Sequence, residues 1–250
     1  MSESLGVTHA QVDSLRRFIS HMRTDPFVVR RCDRNVRRDG QSPDRALFWK
    51  GLVSCLLTTQ QRASPGMPVW RFMKQEPFPL AYTQVKSRRD VKDYVAASIT
   101  TAGGIRFIKK IPGYAAHNLA VLESGLWTYV DSLIQTLWVN EQQSVERVAA
   151  ETLRAQLLGL GPKQSRNLLQ LLGLTRYEIP IDSRMLKWLS EFRIQRLPDA
   201  RMLSRPRIYI QVLDWIQELC RRADVYPCIF DAAVFSSMDN VSWRAGDIVF

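Results

Sequence analysis

Residues 157–169 read LLGLGPKQSRNLL, and this stretch decides how the chain folds. The apolar pattern before it predicts a helix ending near Leu157, and the pattern after it predicts a helix beginning near Pro162. Between them, Gly159 and Gly161 permit backbone conformations and close approaches that a Cβ would obstruct. Leu160, between the glycines, is expected to pin the turn into the core. The stretch therefore predicts two helices joined by a tight hairpin.

Helical periodicity continues on both sides of the hairpin. No convincing run of alternating apolar and polar residues predicts a strand, and no internal repeat is detectable. Apolar residues recur at helical spacing over 12–22, 48–59, 126–138, 145–153 and 208–219. We therefore expect an all-α protein.

The composition is that of an ordinary globular protein. The chain has 250 residues, of which 46% are hydrophobic and 24% charged, so disorder and low complexity are excluded. No apolar run approaches the about 20 residues that span a membrane. The first residues lack the apolar stretch of a signal peptide. We expect an intracellular, cytoplasmic monomer without a membrane segment.

Metal chemistry has little support in the sequence. The four cysteines are scattered without a Cys-x-x-Cys pair, and the three histidines have no ligand-like spacing. We therefore expect no metal ion, no iron–sulfur cluster and no other cofactor.

Charge is the most informative global property. The formal net charge is +11, from 35 Lys and Arg against 24 Asp and Glu. Such an excess favours a polyanionic partner, and nucleic acid before a membrane surface. The stretch 30–43 carries five arginines, at positions 30, 31, 34, 37 and 38. It is open to two interpretations, a solvated loop between helices or a strip that contacts phosphates.

The hairpin itself resembles the helix–hairpin–helix motif, a Gly-apolar-Gly turn that grips the DNA backbone without reading sequence. The free N–H groups at the start of the second helix form a ready phosphate site. We expect Gly159, Gly161 and Arg166 to contact DNA. A plain tight turn between two helices is the alternative.

A second stretch makes the resemblance more specific. Residues 177–188 read YEIPIDSRMLKW. A Gly-x-Gly-x-Lys hairpin followed by Pro-apolar-Asp at the start of a helix resembles the base-excision DNA glycosylases of the helix–hairpin–helix superfamily. The resemblance covers roughly 46–190. The cysteines that hold the cluster in endonuclease III are absent, so the sequence looks closer to the 8-oxoguanine glycosylases.

The resemblance implies a fold, a partner and an activity. The fold would be all-α and two-lobed: one lobe spans 46–175 with the motif at 150–172, the other combines 1–45 with 176–250, and the cleft lies between them. The partner would be double-stranded DNA with a damaged or modified base, which is flipped out and excised. Oxidised guanine is the leading substrate.

Two residues would carry the chemistry that the resemblance implies. Lys163 would be the nucleophile that forms a Schiff base at C1′ and leads to strand cleavage by β-elimination. Asp182 would assist, because a carboxylate stabilises the oxocarbenium character of the breaking glycosidic bond. Each has a simpler interpretation: Lys163 as a phosphate contact, and Asp182 as the N-cap of the following helix.

The remaining site residues have weaker support. By the same resemblance, Gln60 or Gln61, at the end of an early helix, would fill the gap left by the extruded base. Trp188, Asp231 and Phe235 are candidates for the base-binding pocket, although aromatic residues are more often core and Asp231 could be an N-cap.

Three other functions stay open. The protein could excise another modified base, including bulky hypermodified phage bases in antiviral defence. It could be a monofunctional glycosylase in which Asp182 directs a water and Lys163 only binds the backbone. It could also be a non-catalytic helix–hairpin–helix module that binds DNA structure.

Overall fold

The structure, a computed structural model, describes residues 6–191, 197–239 and 244–249. These ranges contain helices and no β-strand, so the all-α prediction is confirmed. The α-helices are α1 His9–Met22, α2 Pro26–Arg31, α3 Arg45–Leu57, α4 Pro68–Met73, α5 Tyr82–Lys86, α6 Val91–Ala102, α7 Ile111–Val121, α8 Trp127–Val139, α9 Gln143–Gln156, α10 Pro162–Leu171, α11 Ser183–Glu191, α12 Pro206–Ala223 and α13 Pro227–Met238.

The larger hydrophobic cluster is built by α3 to α10 and centres on α3. The helix begins at an Asp44 N-cap, whose side chain accepts a hydrogen bond from Leu47 N at 2.7 Å. Nearly every residue from Phe48 to Leu57 is buried, because α3 is apolar on all sides and other helices surround it. The cluster extends along the chain from Phe48 to Leu174.

A second hydrophobic cluster joins the beginning of the chain to its end. α1 starts at a Thr8 capping box and packs on α12, while α11 packs on α13. Val12 and Leu15 of α1 share this cluster with apolar residues between Ile179 and Val234. Distant parts of the chain therefore build one packing unit.

α2 is fixed against α13 and lies beside the end of α10. Asp25 caps α2 by accepting from Phe27 N and Val28 N, and Val28 is buried against α13. A π-helical turn, Cys32–Arg37, follows, and its Asn35 amide donates to Gln170 O and Thr175 O.

The loop interpretation of the arginine-rich stretch 30–43 is wrong for residues 30–37, which are helical, whereas residues 38–43 lie outside any helix. None of the helices in the described ranges combines the length and hydropathy that a bilayer crossing requires.

Candidate active site

The loop between α9 and α10 forms the predicted hairpin turn. Its Gly159 has a φ angle of +83°, and a Cβ there would lie 2.4 Å from Leu56 Cδ2 and 2.9 Å from Tyr114 Cδ2. Only glycine fits, because a side chain would be strained by the backbone and would collide with α3 and α7. Leu160 is buried, so the turn is anchored in the core as expected.

The N-terminus of α10 faces an open cleft. Gly161 is the N-cap and has no side chain with which to cap the helix. Pro162 has no N–H, and the first backbone bond within the helix runs from Ser165 N to Gly161 O at 3.1 Å. The amides of Lys163 and Gln164 therefore lie at a helix end that suits an anion.

The structure brings Lys163 and Asp182 together. Lys163 Nζ lies 3.7 Å from Asp182 Oδ2, with 42% of the lysine side chain exposed. The other carboxylate oxygen, Oδ1, accepts from Arg184 N at 2.9 Å and from Met185 N at 3.1 Å. Asp182 therefore caps α11 with one oxygen, as the simpler interpretation predicts, and presents the other to the lysine.

Tyr209 hydrogen-bonds the backbone of the segment that precedes Asp182. The Tyr209 hydroxyl donates to Ile179 O at 2.9 Å and accepts from Ile181 N at 2.7 Å. Burial raises the pKa of this phenol, which stays a neutral donor. The two bonds fix the backbone immediately before Asp182.

Arg166 does not face the cleft, contrary to the expectation that it contacts DNA. Its side chain is 0% exposed, and Nε lies 2.7 Å from Glu178 Oε2. A terminal nitrogen lies 3.0 Å from Glu151 Oε1, and the guanidinium packs 4.8 Å from the ring centroid of Tyr209. A buried arginine that pairs with two carboxylates is structural, so this prediction is wrong.

The cleft itself is wide and cationic. It has a volume of about 1350 Å³ and is lined by Gly159, Gly161, Lys163 and Asp182. Within the described ranges, two acidic and eight cationic side chains line it, the cationic ones being Arg30, Arg31, Arg34, Arg62, Lys163, Arg184, Lys187 and Arg201. Much of the excess positive charge of the chain is therefore concentrated at this one surface.

Of the three pocket candidates, Asp231 and Phe235 line the cleft. Asp231 Oδ2 accepts from Gln170 Nε2 at 2.6 Å and from Arg31 at 3.3 Å, and burial raises the pKa of this carboxyl to about 6. Phe235 stacks on Phe27 with ring centroids 4.8 Å apart.

The third candidate, Trp188, belongs to the core. Its side chain is buried and packs against Phe18 and Phe230, with ring centroids 5.1 and 4.7 Å away. Trp188 therefore forms no part of the cleft wall, and its assignment to the pocket is wrong.

Gln60 and Gln61 both lie at the edge of the cleft, but in different states. Gln60 is exposed and adopts a φ angle of +53°. Gln61 is tied down, because its side chain donates to Leu57 O and accepts from Arg106 N at 3.0 Å. Of the two side chains, that of Gln60 is therefore the more exposed to the cleft.

Sequence reasoning missed two contributors to the cleft. Gln170 lies seven residues after Lys163, on the same side of α10, and this spacing is a signal that could have indicated it. Arg31 belongs to the stretch 30–43, for which the sequence allowed two interpretations. Nothing in the sequence near it indicates its partner Asp231, 200 residues later.

Comparisons of structure identify the fold. The chain is similar to the 8-oxoguanine DNA glycosylase of Thermotoga maritima, with a TM-score of 0.65 and 18% identity over 93% of this chain and 98% of that one. It is also similar to the 8-oxoguanine glycosylase/lyase of Methanocaldococcus jannaschii in complex with a 15mer DNA containing 8-oxoguanine, with a TM-score of 0.68 and 17% identity over 92% and 100%.

A second structure of the M. jannaschii glycosylase gives a TM-score of 0.64 and 14% identity over 94% of this chain and 98% of that one. No protein-family model matches the sequence, and no curated protein matches it. The chain therefore has the helical fold of these glycosylases, as its resemblance to them predicted.

Proposed function

We propose that the protein is a DNA glycosylase that flips out and excises a damaged or modified base, with oxidised guanine as the leading substrate. The observation that carries this proposal is the approach of Lys163 to Asp182 at the N-terminus of α10, inside a cationic cleft. The glycosylase fold supports it. Double-stranded DNA is the proposed partner.

The two lobes expected from the sequence, 46–175 and 1–45 with 176–250, are part of the proposal. They are supported by the separation of two hydrophobic clusters, one from Phe48 to Leu174 and one that joins α1 to α11, α12 and α13. The cleft draws its lining from both groups of helices, which suits a substrate held between them.

Lys163 and Asp182 would perform the reaction together. As the N-glycosidic bond breaks, the departing base takes the bonding electron pair and a proton, and the Asp182 carboxylate stabilises the positive charge on the sugar. The Lys163 amine attacks C1′ and, as the new C–N bond forms, gives up a proton that passes through Asp182 to the departing base. After the ring opens to a Schiff base, loss of a 2′ proton expels the 3′ phosphate, and hydrolysis by water frees the lysine.

The other residues would bind and orient the DNA. The hairpin at Gly159 and Gly161 presents backbone amides to a phosphate. Gln60, exposed at the edge of the cleft, would occupy the space left by the extruded base, and Gln61 would support it. Asp231 and Phe235 would contact the base itself.

Borohydride trapping on a duplex with one abasic site tests the nucleophile. We expect a covalent band for the wild type and for Lys187→Ala, a matched control because Lys187 also lines the cleft, and no band for Lys163→Ala. A band that persists in Lys163→Ala and disappears in Lys187→Ala would move the nucleophile.

Base release from a panel of duplexes with oxidised and otherwise modified bases tests the glycosylase itself. We expect Asp182→Asn to abolish release while DNA binding is retained. Release without any trapped band would indicate the monofunctional reaction. No release by the wild type from any duplex would leave a DNA-binding module and overturn the proposal.

A further inference from the structure

Three arginines that the proposed reaction does not use lie on one wall of the cleft. Arg30, Arg31 and Arg34 come from the end of α2 and the π-helical turn after it, and all three line the cleft. Their backbone is fixed on α13, because Phe27 stacks on Phe235 and Asp25 accepts from Ser236 Oγ at 2.7 Å. The wall is therefore built by packing and does not depend on the substrate.

The carboxylate of Asp231 lies on the same wall and contacts both Arg31 and Gln170. Arg31 is 11% exposed and lies 3.3 Å from Asp231 Oδ2, and the same oxygen accepts from Gln170 Nε2 at 2.6 Å. Burial and the positive charges of Arg31 and Arg30 lower the pKa of Arg34 to about 9. The guanidinium groups therefore repel one another, and an added anion would relieve that repulsion.

The position of the three arginines relative to Lys163 follows from the contacts along α10. Cleft-lining residues follow one side of α10 from Lys163 to Gln170, and seven residues of helix span about 10 Å. Gln170 contacts Asp231, which contacts Arg31. The arginine wall (Arg30, Arg31 and Arg34) is therefore level with the far end of α10, about two helical turns along that helix from Lys163.

We propose that Arg30, Arg31 and Arg34 form an anion-binding subsite for a negatively charged group of the bound DNA, distinct from the phosphate site at the hairpin. Guanidinium groups suit this role because their N–H donors pair with phosphate or carboxylate oxygens. This inference rests on the proposed function for the identity of the polymer. The anion is either a backbone phosphate near the extruded nucleotide or an anionic substituent on the base.

Charge-neutral variants test the subsite. The probe is a duplex with a tetrahydrofuran abasic-site analogue, and its dissociation constant is measured over a range of salt concentrations. We expect Arg34→Gln and Arg30→Gln each to weaken binding about tenfold and to reduce the slope of log K against log salt by about 1. Arg30 is exposed, so its variant keeps the test valid if Arg34→Gln does not fold.

Arg37→Gln is the matched control. Arg37 lies on the same π-helical turn, but it pairs with Asp33 at 2.8 Å and does not line the cleft. We expect wild-type affinity and salt slope for this variant. Equal losses for Arg37→Gln and Arg30→Gln would show a general charge effect and overturn the subsite. No loss for Arg30→Gln and Arg34→Gln on this abasic probe would exclude a backbone phosphate and leave only an anion on the base, which the 5-carboxycytosine duplex tests.

Two further experiments distinguish a backbone phosphate from an anionic group on the base. Replacing single phosphates near the lesion by neutral methylphosphonates removes the effect of Arg34→Gln if a backbone phosphate is bound. If the base carries the anion, a duplex with 5-carboxycytosine is bound in an Arg34-dependent way and its 5-methylcytosine counterpart is not. The subsite is overturned if the methylphosphonates leave the effect of Arg34→Gln unchanged and the 5-carboxycytosine duplex shows no dependence on Arg34.

Trapping at Lys163 is independent of these measurements. A wild-type enzyme that traps normally while the arginine variants bind normally refutes the subsite alone. A protein that fails to trap or to release any base, but binds DNA in an Arg34-dependent way, refutes the proposed function alone.

Discussion

Lys163 and Arg166 lie one turn apart on α10, yet their surroundings differ in every respect. Arg166 is buried and contacts two carboxylates, Glu178 at 2.7 Å and Glu151 at 3.0 Å. Lys163 is 42% exposed and contacts one carboxylate, that of Asp182, at 3.7 Å. The same helix therefore separates a buried ion-pair network from an open cationic cleft.

The comparison shows how structural and functional cations can be distinguished. A buried guanidinium must be matched by carboxylates, because an uncompensated charge in the interior is costly. The cleft shows the opposite ratio, with eight cationic and two acidic side chains among the described residues that line it. An excess of exposed cations costs little in solvent and attracts a polyanion, so the excess indicates where DNA would bind.

The largest effect on stability is expected from replacing Arg166, the buried cation of this pair. Arg166→Met leaves the buried Glu178 with Arg147 as its one cation among the described residues, and we expect it to lower the free energy of unfolding by about 3–5 kcal/mol. Lys163→Met is the matched control in the cleft, with an expected change within about 0.5 kcal/mol. Urea denaturation measures both, and similar losses would remove the distinction between the two cations.

A smaller loss of stability is expected at the hairpin turn between α9 and α10, which positions the helix that carries both Lys163 and Arg166. Gly159→Ala places a methyl group 2.4 Å from Leu56 Cδ2 at a φ of +83°, and we expect a loss of about 2–3 kcal/mol in the free energy of unfolding. Gly161→Ala has open space around it and should lose about 1 kcal/mol or less as a poorer N-cap. Equal losses at the two glycines would contradict the close packing of the turn.

The hairpin and the helical class were predictable because their signals are local. Two glycines around a leucine, followed by Gly161-Pro162, indicate the turn within a few residues, and helical periodicity indicates the class. Lys163 and Asp182 were singled out together through the pattern of a resembling family, 19 residues apart, and the structure places them in contact.

The fate of Arg166 and Arg31 could not be predicted because it depends on distant partners. Glu178 and Glu151 lie 12 and 15 residues from Arg166, and Asp231 lies 200 residues from Arg31. A helical pattern shows that an arginine follows a lysine, but not which of them has carboxylates behind it. Trp188 was misassigned for the same reason, because its partners Phe18 and Phe230 come from α1 and α13.

Tyr209 gives a sharper test, because it links the two regions. Tyr209→Phe keeps the ring under Arg166 but removes the hydroxyl that bonds Ile179 O and Ile181 N. We expect a loss of about 1–2 kcal/mol in the free energy of unfolding.

The activity of Tyr209→Phe separates positioning from folding. Because Ile181 precedes Asp182, we expect a lower kcat for base release with KM unchanged, at a temperature where the variant is fully folded. Tyr226→Phe is a control, because Tyr226 is a partly buried tyrosine that does not line the cleft. A wild-type kcat for Tyr209→Phe would mean that the hydroxyl contributes to stability alone.

The smallest effect concerns the pH dependence of the acid opposite the arginines. Burial, together with the negative charge of Asp182, raises the pKa of Asp231 from 3.8 to about 6, despite the nearby positive charges of Arg31 and Lys163. The native state therefore binds a proton more tightly than the unfolded chain, and the contribution of Asp231 to stability rises as the pH falls through 6 toward 4. Between pH 7 and pH 5 the wild type should gain about 1 kcal/mol relative to Asp231→Asn.

Differences between pH values are the quantity to compare, because Asp231→Asn also leaves Arg31 without its carboxylate and shifts stability at every pH. Urea denaturation of both proteins at pH 7, 6 and 5 gives the difference directly. A gain for the wild type on acidification means that desolvation of Asp231 outweighs its pairing with Arg31. A loss on acidification would mean that Asp231 is a matched partner like Glu178, and the arginine wall would then belong with the structural cations around Arg166.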